Sequence, residues 1–265
     1  MDSQSNYGPL RKNLAAGNVV AFVGAGMSID AGLPGWYKMI EEMCQDIGYS
    51  LPPPNHATSE SLINAAQYFV NKENLHALIA FLKDRLDTSD KEPTSAHLSL
   101  ARLPISTVFT ANYDDLLERA FRQAGKRVNL IVKDESLPFL SRDPNVVNLI
   151  KLYGDLDQPE TIVLAREQYD SFFLDRPQMI KMLENELTRS DMLYLGWSHS
   201  DPHFNLVFGE ILTRFKKFLR TSYAVMFDVP ENERLELERK QIRLVGFPSG
   251  GDPTLQLTEW LNSLR

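Results

Sequence analysis

Five short stretches of this chain hold residues able to do chemistry on a small anionic ligand. The first reads Gly24-Ala25-Gly26-Met27-Ser28-Ile29-Asp30-Ala31-Gly32-Leu33-Pro34. Glycines let a backbone approach a phosphate closely, and a helix that starts after such a turn presents free N–H groups and partial positive charge to it. That suits a dinucleotide. The spacing departs from Gly-x-Gly-x-x-Gly, because the third glycine is displaced to Gly32, and the Walker lysine is absent. A plain strand-to-helix turn that merely needs glycine is the competing explanation. The other stretches carry Asn112-Tyr113-Asp114, Tyr153-Gly154, Gly196-Trp197-Ser198 with Asp201, and Asp228. Their amide, carboxylate, phenol and hydroxyl groups can orient a polar ligand or hold a proton.

What unites these stretches is the kind of element that precedes each. Apolar, β-branched or aromatic runs at 19–23, 105–109, 146–150, 192–195 and 223–227 read as buried strands. Between them lie helical spacings: Leu75, Leu78, Ile79, Leu82 and Leu86; Leu116, Leu117, Ala120 and Phe121; Met179, Met182, Leu183 and Leu187. Strand alternating with helix predicts an α/β, Rossmann-like doubly wound parallel sheet. Gly24, Asn112, Tyr153, Gly196 and Asp228 then fall at the carboxyl ends of the strands, where an open parallel sheet forms its ligand crevice. One site is expected to use all five loops.

The chain reads as a single domain over 1–265 with helical insertions. Segment 51–93 is too long for a plain crossover and opens with Pro52-Pro53-Pro54. A second excursion at 157–190, with Tyr169, Phe172 and Phe173 at helical spacing, is a candidate cap. The apolar face of the Leu75 to Leu86 helix has two readings, an interface or packing onto its own sheet. The charged run 231–243 suits a solvated helix, and 255–264 a closing amphipathic one.

Composition narrows the classes. The 265 residues are 43% hydrophobic and 24% charged, which suits a globular protein with a real core. The single cysteine, Cys44, excludes a disulfide within the chain and a zinc site built from paired cysteines, so no metal is expected and a reducing, cytoplasmic setting is. No signal-like segment opens the chain and the apolar runs are too short to span a bilayer, so no membrane association is expected. A net charge of -7 without a long basic block argues against direct nucleic-acid contact.

The motifs together resemble a known family. Gly24-Ala25-Gly26-x-Ser28 with Ala31-Gly32-Leu33-Pro34 resembles the opening motif of sirtuin-like domains, and Thr110-Ala111-Asn112-Tyr113-Asp114 their Thr-x-Asn-x-Asp motif. Lys151-Leu152-Tyr153-Gly154-Asp155 matches their Lys-Leu-His-Gly motif at all but one position, and Gly196-Trp197-Ser198 with Asp201-Pro202 resembles the Gly-x-Ser-x-x-Asp element of the bacterial branch. The resemblance implies NAD+ as bound substrate. It places Asn112 at the ribose or the attacking water, Tyr113 and Asp114 near the nicotinamide carboxamide, and Ser28, Gly196 and Ser198 at phosphates or ribose. For Asn112 a helix cap is the alternative role.

Two departures refine this. With Cys44 alone the chain cannot build the four-cysteine zinc module of protein-deacylating sirtuins. Gly35-Trp36 also follows Pro34 where deacylases have aspartate, phenylalanine and arginine, so acyl-lysine turnover is disfavoured. Zinc-free relatives with Gly-Leu-Pro-x-Trp resemble NAD+-hydrolysing domains of antiphage defence systems. The implied reaction releases nicotinamide and ADP-ribose, and the implied partners are a homo-oligomer or a separate defence protein.

The second departure is Tyr153, which stands where the family has a catalytic histidine. A histidine near pKa 6.5 is poised as a base at neutrality, whereas a tyrosine near 10 is about one part in a thousand ionised at pH 7. Three explanations stand: an inactivating His-to-Tyr replacement, a substitute base such as His199 or His203, or an NAD+ or ADP-ribose sensor or interaction module without chemistry. For His199 and His203, surface or capping roles compete with catalysis. A conventional dehydrogenase requires an acidic residue closing the second strand, where Phe109-Thr110 stands instead.

Overall fold

A computed structural model describes residues 7–197, 201–215, 218–247 and 250–265. The first strand, β1 (Val19–Val23), shows why the core is two-sided: Ala21 and Val23 point into one apolar cluster, and Val20 and Phe22 into another. A strand buried on both faces needs a continuous apolar run, which is what 19–23 supplies.

Beyond β1, the strands are β2 (Thr107–Thr110), β3 (Arg127–Ile131), β4 (Val146–Lys151), β5 (Asp191–Leu195), β6 (Ser222–Phe227) and β7 (Ile242–Phe247). Among the described residues they form one seven-stranded sheet, ordered β3-β4-β2-β1-β5-β6-β7, with every pair parallel. The α/β, Rossmann-like reading holds. Two strands, β3 and β7, lie outside the expected five. Both are edge strands with partly exposed residues, so neither presents the unbroken apolar run of a central strand. The charged run 231–243 accordingly splits into a helix, Glu231–Arg239, and the start of β7, with Arg243 inside the strand.

Helices cover both faces. On one side α1 (Gly8–Ala15), α5 (Ser95–Ala101), α6 (Leu116–Gln123) and α11 (Pro253–Ser263) bury Leu10, Leu100, Phe121 and Trp260 against Val108 and Leu193. On the other, α7 (Arg166–Asp175), α8 (Pro177–Arg189), α9 (Pro202–Phe215) and α10 (Glu231–Arg239) bury Phe172, Leu183, Phe204 and Leu237 against Phe22 and Tyr194. A third apolar cluster joins α2 (Trp36–Asp46), α3 (Ser59–Lys72) and α4 (Leu75–Arg85) through Ile40, Met43, Leu62, Leu78 and Leu82. The apolar face of α4 therefore packs on neighbouring helices rather than on the sheet. Segments 51–93 and 157–190 touch, since Gln67 on α3 accepts the Glu167 N–H of α7 at 3.0 Å.

Register carries these elements to the site. Val23 pairs with Thr110 on one side and Leu195 on the other, Thr110 with Lys151, and Leu195 with Val225. The residues after them therefore leave the sheet at one level, and the strand order reverses direction between β1 and β5, the switch point where an α/β sheet opens a crevice. No helix among the described residues is long and apolar enough to cross a membrane.

Candidate functional site

A cavity of about 1140 Å³ opens at this carboxyl edge. It lies just above the usual range for small-molecule sites, roughly 300–1,000 Å³. Its wall includes Gly24, Ala25, Gly26, Ser28, Leu33, Pro34, Trp36, Asn112, Tyr113, Asp114, Tyr153, Gly196, Trp197 and Asp201. All five expected strand ends contribute, the last through Val225, Met226 and Phe227 rather than Asp228. Gly32, Gly154 and Asp228 are not on the wall. Gly32 closes a turn at φ 89°. Gly154, at φ 99°, packs so tightly that an added Cβ would lie 2.2 Å from the Thr161 carbonyl oxygen. Asp228 adopts φ 51° and donates its N–H to Phe247 O at 3.2 Å, closing the sheet end. Ser198 and His199 lie outside the described residues.

The glycine turn works differently from the sequence-based expectation. Two 3-10 turns, Ala25–Met27 and Ile29–Ala31, follow β1, and the next α-helix starts only at Trp36. The Gly26 N–H donates to Gly196 O at 2.8 Å, and those of Met27 and Ser28 donate to Gly24 O and Ala25 O. These amides are spent on the fold. The glycines instead allow two loops to meet: a Cβ on Gly24 would sit 2.6 Å from Gly196 O, and one on Gly196, at φ 60°, 2.2 Å from Met27 N. The turn therefore seals β1 to β5 at the switch point and leaves its side chains to face the cavity.

Asn112, Ser28 and Asp114 form a directed chain. Ser28 Oγ donates to Asp114 Oδ2 at 3.1 Å and accepts from Asn112 Nδ2 at 3.2 Å. Asp114 Oδ1 accepts the Leu116 N–H at 3.1 Å at the start of α6, so Asp114, not Asn112, serves that helix end. Asn112 is held from behind, its N–H donating to Thr110 Oγ1 at 3.0 Å while that hydroxyl donates to Val23 O at 2.9 Å. Among the described residues its Oδ1 is buried without a partner, an uncommon state for a polar atom. Burial raises the Asp114 pKa above the ordinary carboxylate value, with Lys151 opposing.

Beneath this loop lies an arrangement that the motif reading did not single out. The buried Lys151 ammonium meets Glu118 at 2.7 Å and Asp155 at 2.6 Å, and donates to the backbone carbonyls of Asp114 at 2.7 Å and Tyr113 at 3.2 Å. Burial alone would lower its pKa, but the two carboxylates outweigh that and keep it charged. One ammonium thus ties the end of β4 to the Asn112 loop and α6. The signal was a lysine closing a largely apolar strand, four residues before an aspartate.

Tyr153 is 4% exposed and lines the cavity together with Asp201 and Tyr169. Burial, then Asp201, pushes its pKa well above the ordinary tyrosine value, so the phenol stays protonated. Asp201 heads α9, where Oδ1 accepts the Phe204 N–H at 2.9 Å. His203 is not on the cavity wall. Its ring stacks on Phe172 at 4.3 Å and Tyr169 at 4.5 Å, and burial lowers its pKa to about 4. Of the substitute bases considered, His203 is therefore withdrawn from the cavity. Tyr169, Leu164, Pro253 and Leu257 also line the wall. Tyr169 and Leu257 fell within helical spacings read as packing, and none of the four carried a site signal.

A SIR2-like domain matches residues 106–245, more than half of the chain. NAD(+) hydrolase ThsA of Acinetobacter baumannii (strain 532279) is 29% identical over 215 residues, covering 81% of this chain and 43% of that protein. NAD(+) hydrolase ThsA of Bacillus cereus (strain MSX-D12) is 29% identical over 219 residues, covering 81% and 44%. Defense-associated sirtuin 2 of Bacillus subtilis is 23% identical over 239 residues, covering 88% and 23%. The chain spans less than half the length of these curated relatives. The matched region contains the Asn112, Tyr153 and Gly196 loops, which the sheet brings around one cavity, and the chain belongs to the SIR2-like family.

Proposed function

We propose that the chain binds NAD+ in this cavity and cleaves the bond between nicotinamide and ribose, releasing nicotinamide and ADP-ribose, and that it does so in antiphage defence by depleting the cofactor. The hydrolase names of its relatives support the reaction class. The observation that carries the assignment to this site is Asn112, a residue of the cavity wall whose buried amide oxygen has no partner among the described residues and whose orientation is set by Ser28.

Breaking the nicotinamide bond develops oxocarbenium character on the ribose, so catalysis consists of orienting the sugar, excluding bulk water and placing electron density near the ring. In this reading Asn112 Oδ1 accepts from a ribose hydroxyl or the attacking water. Asp114 keeps lone pairs beyond those given to Ser28 and Leu116, and these accept the carboxamide N–H of nicotinamide. Gly26, Gly196 and Trp197 supply a close-packed floor for the dinucleotide. The protein acts in the cytoplasm, as a homo-oligomer or with a partner chain.

The test is nicotinamide release from NAD+ by the purified chain. Asn112→Ala abolishes it while leaving the circular dichroism spectrum unchanged; a variant that retains the parent rate removes Asn112, and this site, from the mechanism. A second reading, an NAD+ or ADP-ribose sensor, is favoured by Tyr153, whose phenol replaces the histidine base. It is the correct one if calorimetry detects NAD+ binding while neither the chain as written nor a Tyr153→His variant releases nicotinamide.

A further inference from the structure

The cavity wall is poor in cations. Among the described residues Lys38 is the one lysine or arginine on it, and that ammonium is already shared by Glu41 at 2.7 Å and Glu42 at 3.9 Å. Lys91, whose side chain passes Gly32, pairs with Asp90 at 2.8 Å and is not on the wall. Three carboxylates do line it, those of Asp30, Asp114 and Asp201. Asp114 and Asp201 are buried, whereas Asp30 is exposed on the glycine turn. Asp30 Oδ2 accepts the hydroxyl of Thr254 in the first turn of α11, so the loop after β1 is bridged to the start of that helix. Close along these two elements, Met27 and Leu257 join Ala96 and Val225 in an apolar cluster that also forms part of the wall. This corner adjoins the end of β6. Three strand spacings, roughly 14 Å, separate it from Asn112 at the end of β2.

We infer that Asp30 determines specificity at the adenosine end of the site, accepting an unmodified ribose and rejecting one that carries a 2′-phosphate; the inference rests on the NAD+ reading above. With nicotinamide at Asn112 and Asp114, the diphosphate crosses the β1 and β5 loops and the adenosine reaches the end of β6. The flat base suits the apolar corner, and its ribose stands beside the bridge between Asp30 and Thr254. A ribose hydroxyl donates to the Asp30 carboxylate, which keeps lone pairs beyond the one given to Thr254. A 2′-phosphate offers negative charge there instead of a donor. It meets a carboxylate, with no lysine or arginine of the described wall free to neutralise it, and bringing like charges together is an effective way to exclude a competing ligand. Doubly wound folds select NAD+ in this manner with an acidic residue that binds the 2′-hydroxyl. Here the carboxylate comes from the loop after β1, because the second strand closes on Phe109-Thr110.

The test measures binding and turnover separately on the purified chain. Calorimetry with ADP-ribose and with ADP-ribose 2′-phosphate reads the selectivity without chemistry, and nicotinamide release from NAD+ and from NADP+ reads it in kcat/KM. The parent is expected to favour the unphosphorylated ligand by about a hundredfold or more. Asp30→Asn keeps an oxygen for Thr254 but removes the charge; it should weaken ADP-ribose by about three- to tenfold and bring the selectivity below about tenfold. Asp30→Lys should invert the preference, since an ammonium attracts the added phosphate. Equal affinity of the parent for both ligands overturns the inference. So does a selectivity that both variants leave intact, whatever their absolute affinities, because Asp30 is then only a brace for α11. Selective binding without nicotinamide release by the parent or by Tyr153→His overturns the cleavage reading and leaves the role of Asp30 standing. Binding of neither ligand overturns the NAD+ reading, and the inference with it.

Discussion

Ser28 Oγ stands 3.2 Å from Asn112 Nδ2 and uses its only proton on Asp114, so the amide of Asn112 has a single satisfied orientation. Flipping it would turn two acceptors toward each other in a buried site. The hydroxyl thus decides which atom of Asn112 is left for a ligand. Ser28→Ala is expected to release that constraint and slow nicotinamide release by about tenfold or more, with a stability loss of about 1–3 kcal/mol from the buried groups left unpaired. Since the two residues act as one unit, adding Ser28→Ala to Asn112→Ala should cost no additional activity. Steady-state kinetics on the two single variants and the double variant decide this, and additive losses would show that Ser28 acts independently of Asn112.

Lys151 bears on stability as much as on the site. Its ammonium is shared by Glu118 and Asp155 and by two carbonyls of the Asn112 loop, all in a region with almost no solvent exposure. Removing one partner from a buried ion cluster leaves uncompensated charge, at a cost of about 3–5 kcal/mol. Lys151→Met should therefore lower the urea midpoint strongly, and pairing it with Glu118→Gln should recover part of the loss. A midpoint unchanged by Lys151→Met would mean that Glu118 and Asp155 find other partners or take up protons.

These relationships mark where the sequence was legible. β1, β2, β4, β5 and β6 were readable because strands in the middle of a parallel sheet are buried on both faces and must be apolar throughout. β3 begins with Arg127 and β7 carries Arg243, and edge strands escape that requirement. Gly24, Asn112, Tyr153 and Gly196 were readable as one site because parallel strands deliver their next residues to one edge. The use of the glycines was not. Whether Gly26 offers its N–H to a phosphate or to Gly196 depends on a loop 170 residues away in sequence, and a local motif does not encode that choice. Lys151 was likewise visible as a motif letter, while its two carboxylate partners come together only when α6 packs beside β4.

His97 gives the fold a pH dependence that can be isolated. It is fully buried on α5, where Nδ1 accepts the Thr94 N–H at 3.2 Å, and Nε2 has no partner among the described residues. Burial lowers its pKa from 6.5 to about 4. The unfolded chain therefore binds a proton that the folded chain refuses between these values. The contribution of His97 to stability is complete above about pH 6.5, declines as the pH falls, and is exhausted near pH 4. Its full extent is about 3 kcal/mol. Burial raises the pKa values of Asp114, Glu118 and Asp201, and these groups act in the opposite sense, favouring the folded state as acid protonates them. Comparison with His97→Asn removes that background, because asparagine keeps an acceptor for Thr94 and does not titrate. Urea midpoints measured from pH 7 to pH 4.5 should converge, the parent losing stability faster than the variant. Parallel curves would place the proton elsewhere and assign the acid sensitivity of the fold to other groups, His203 first among them.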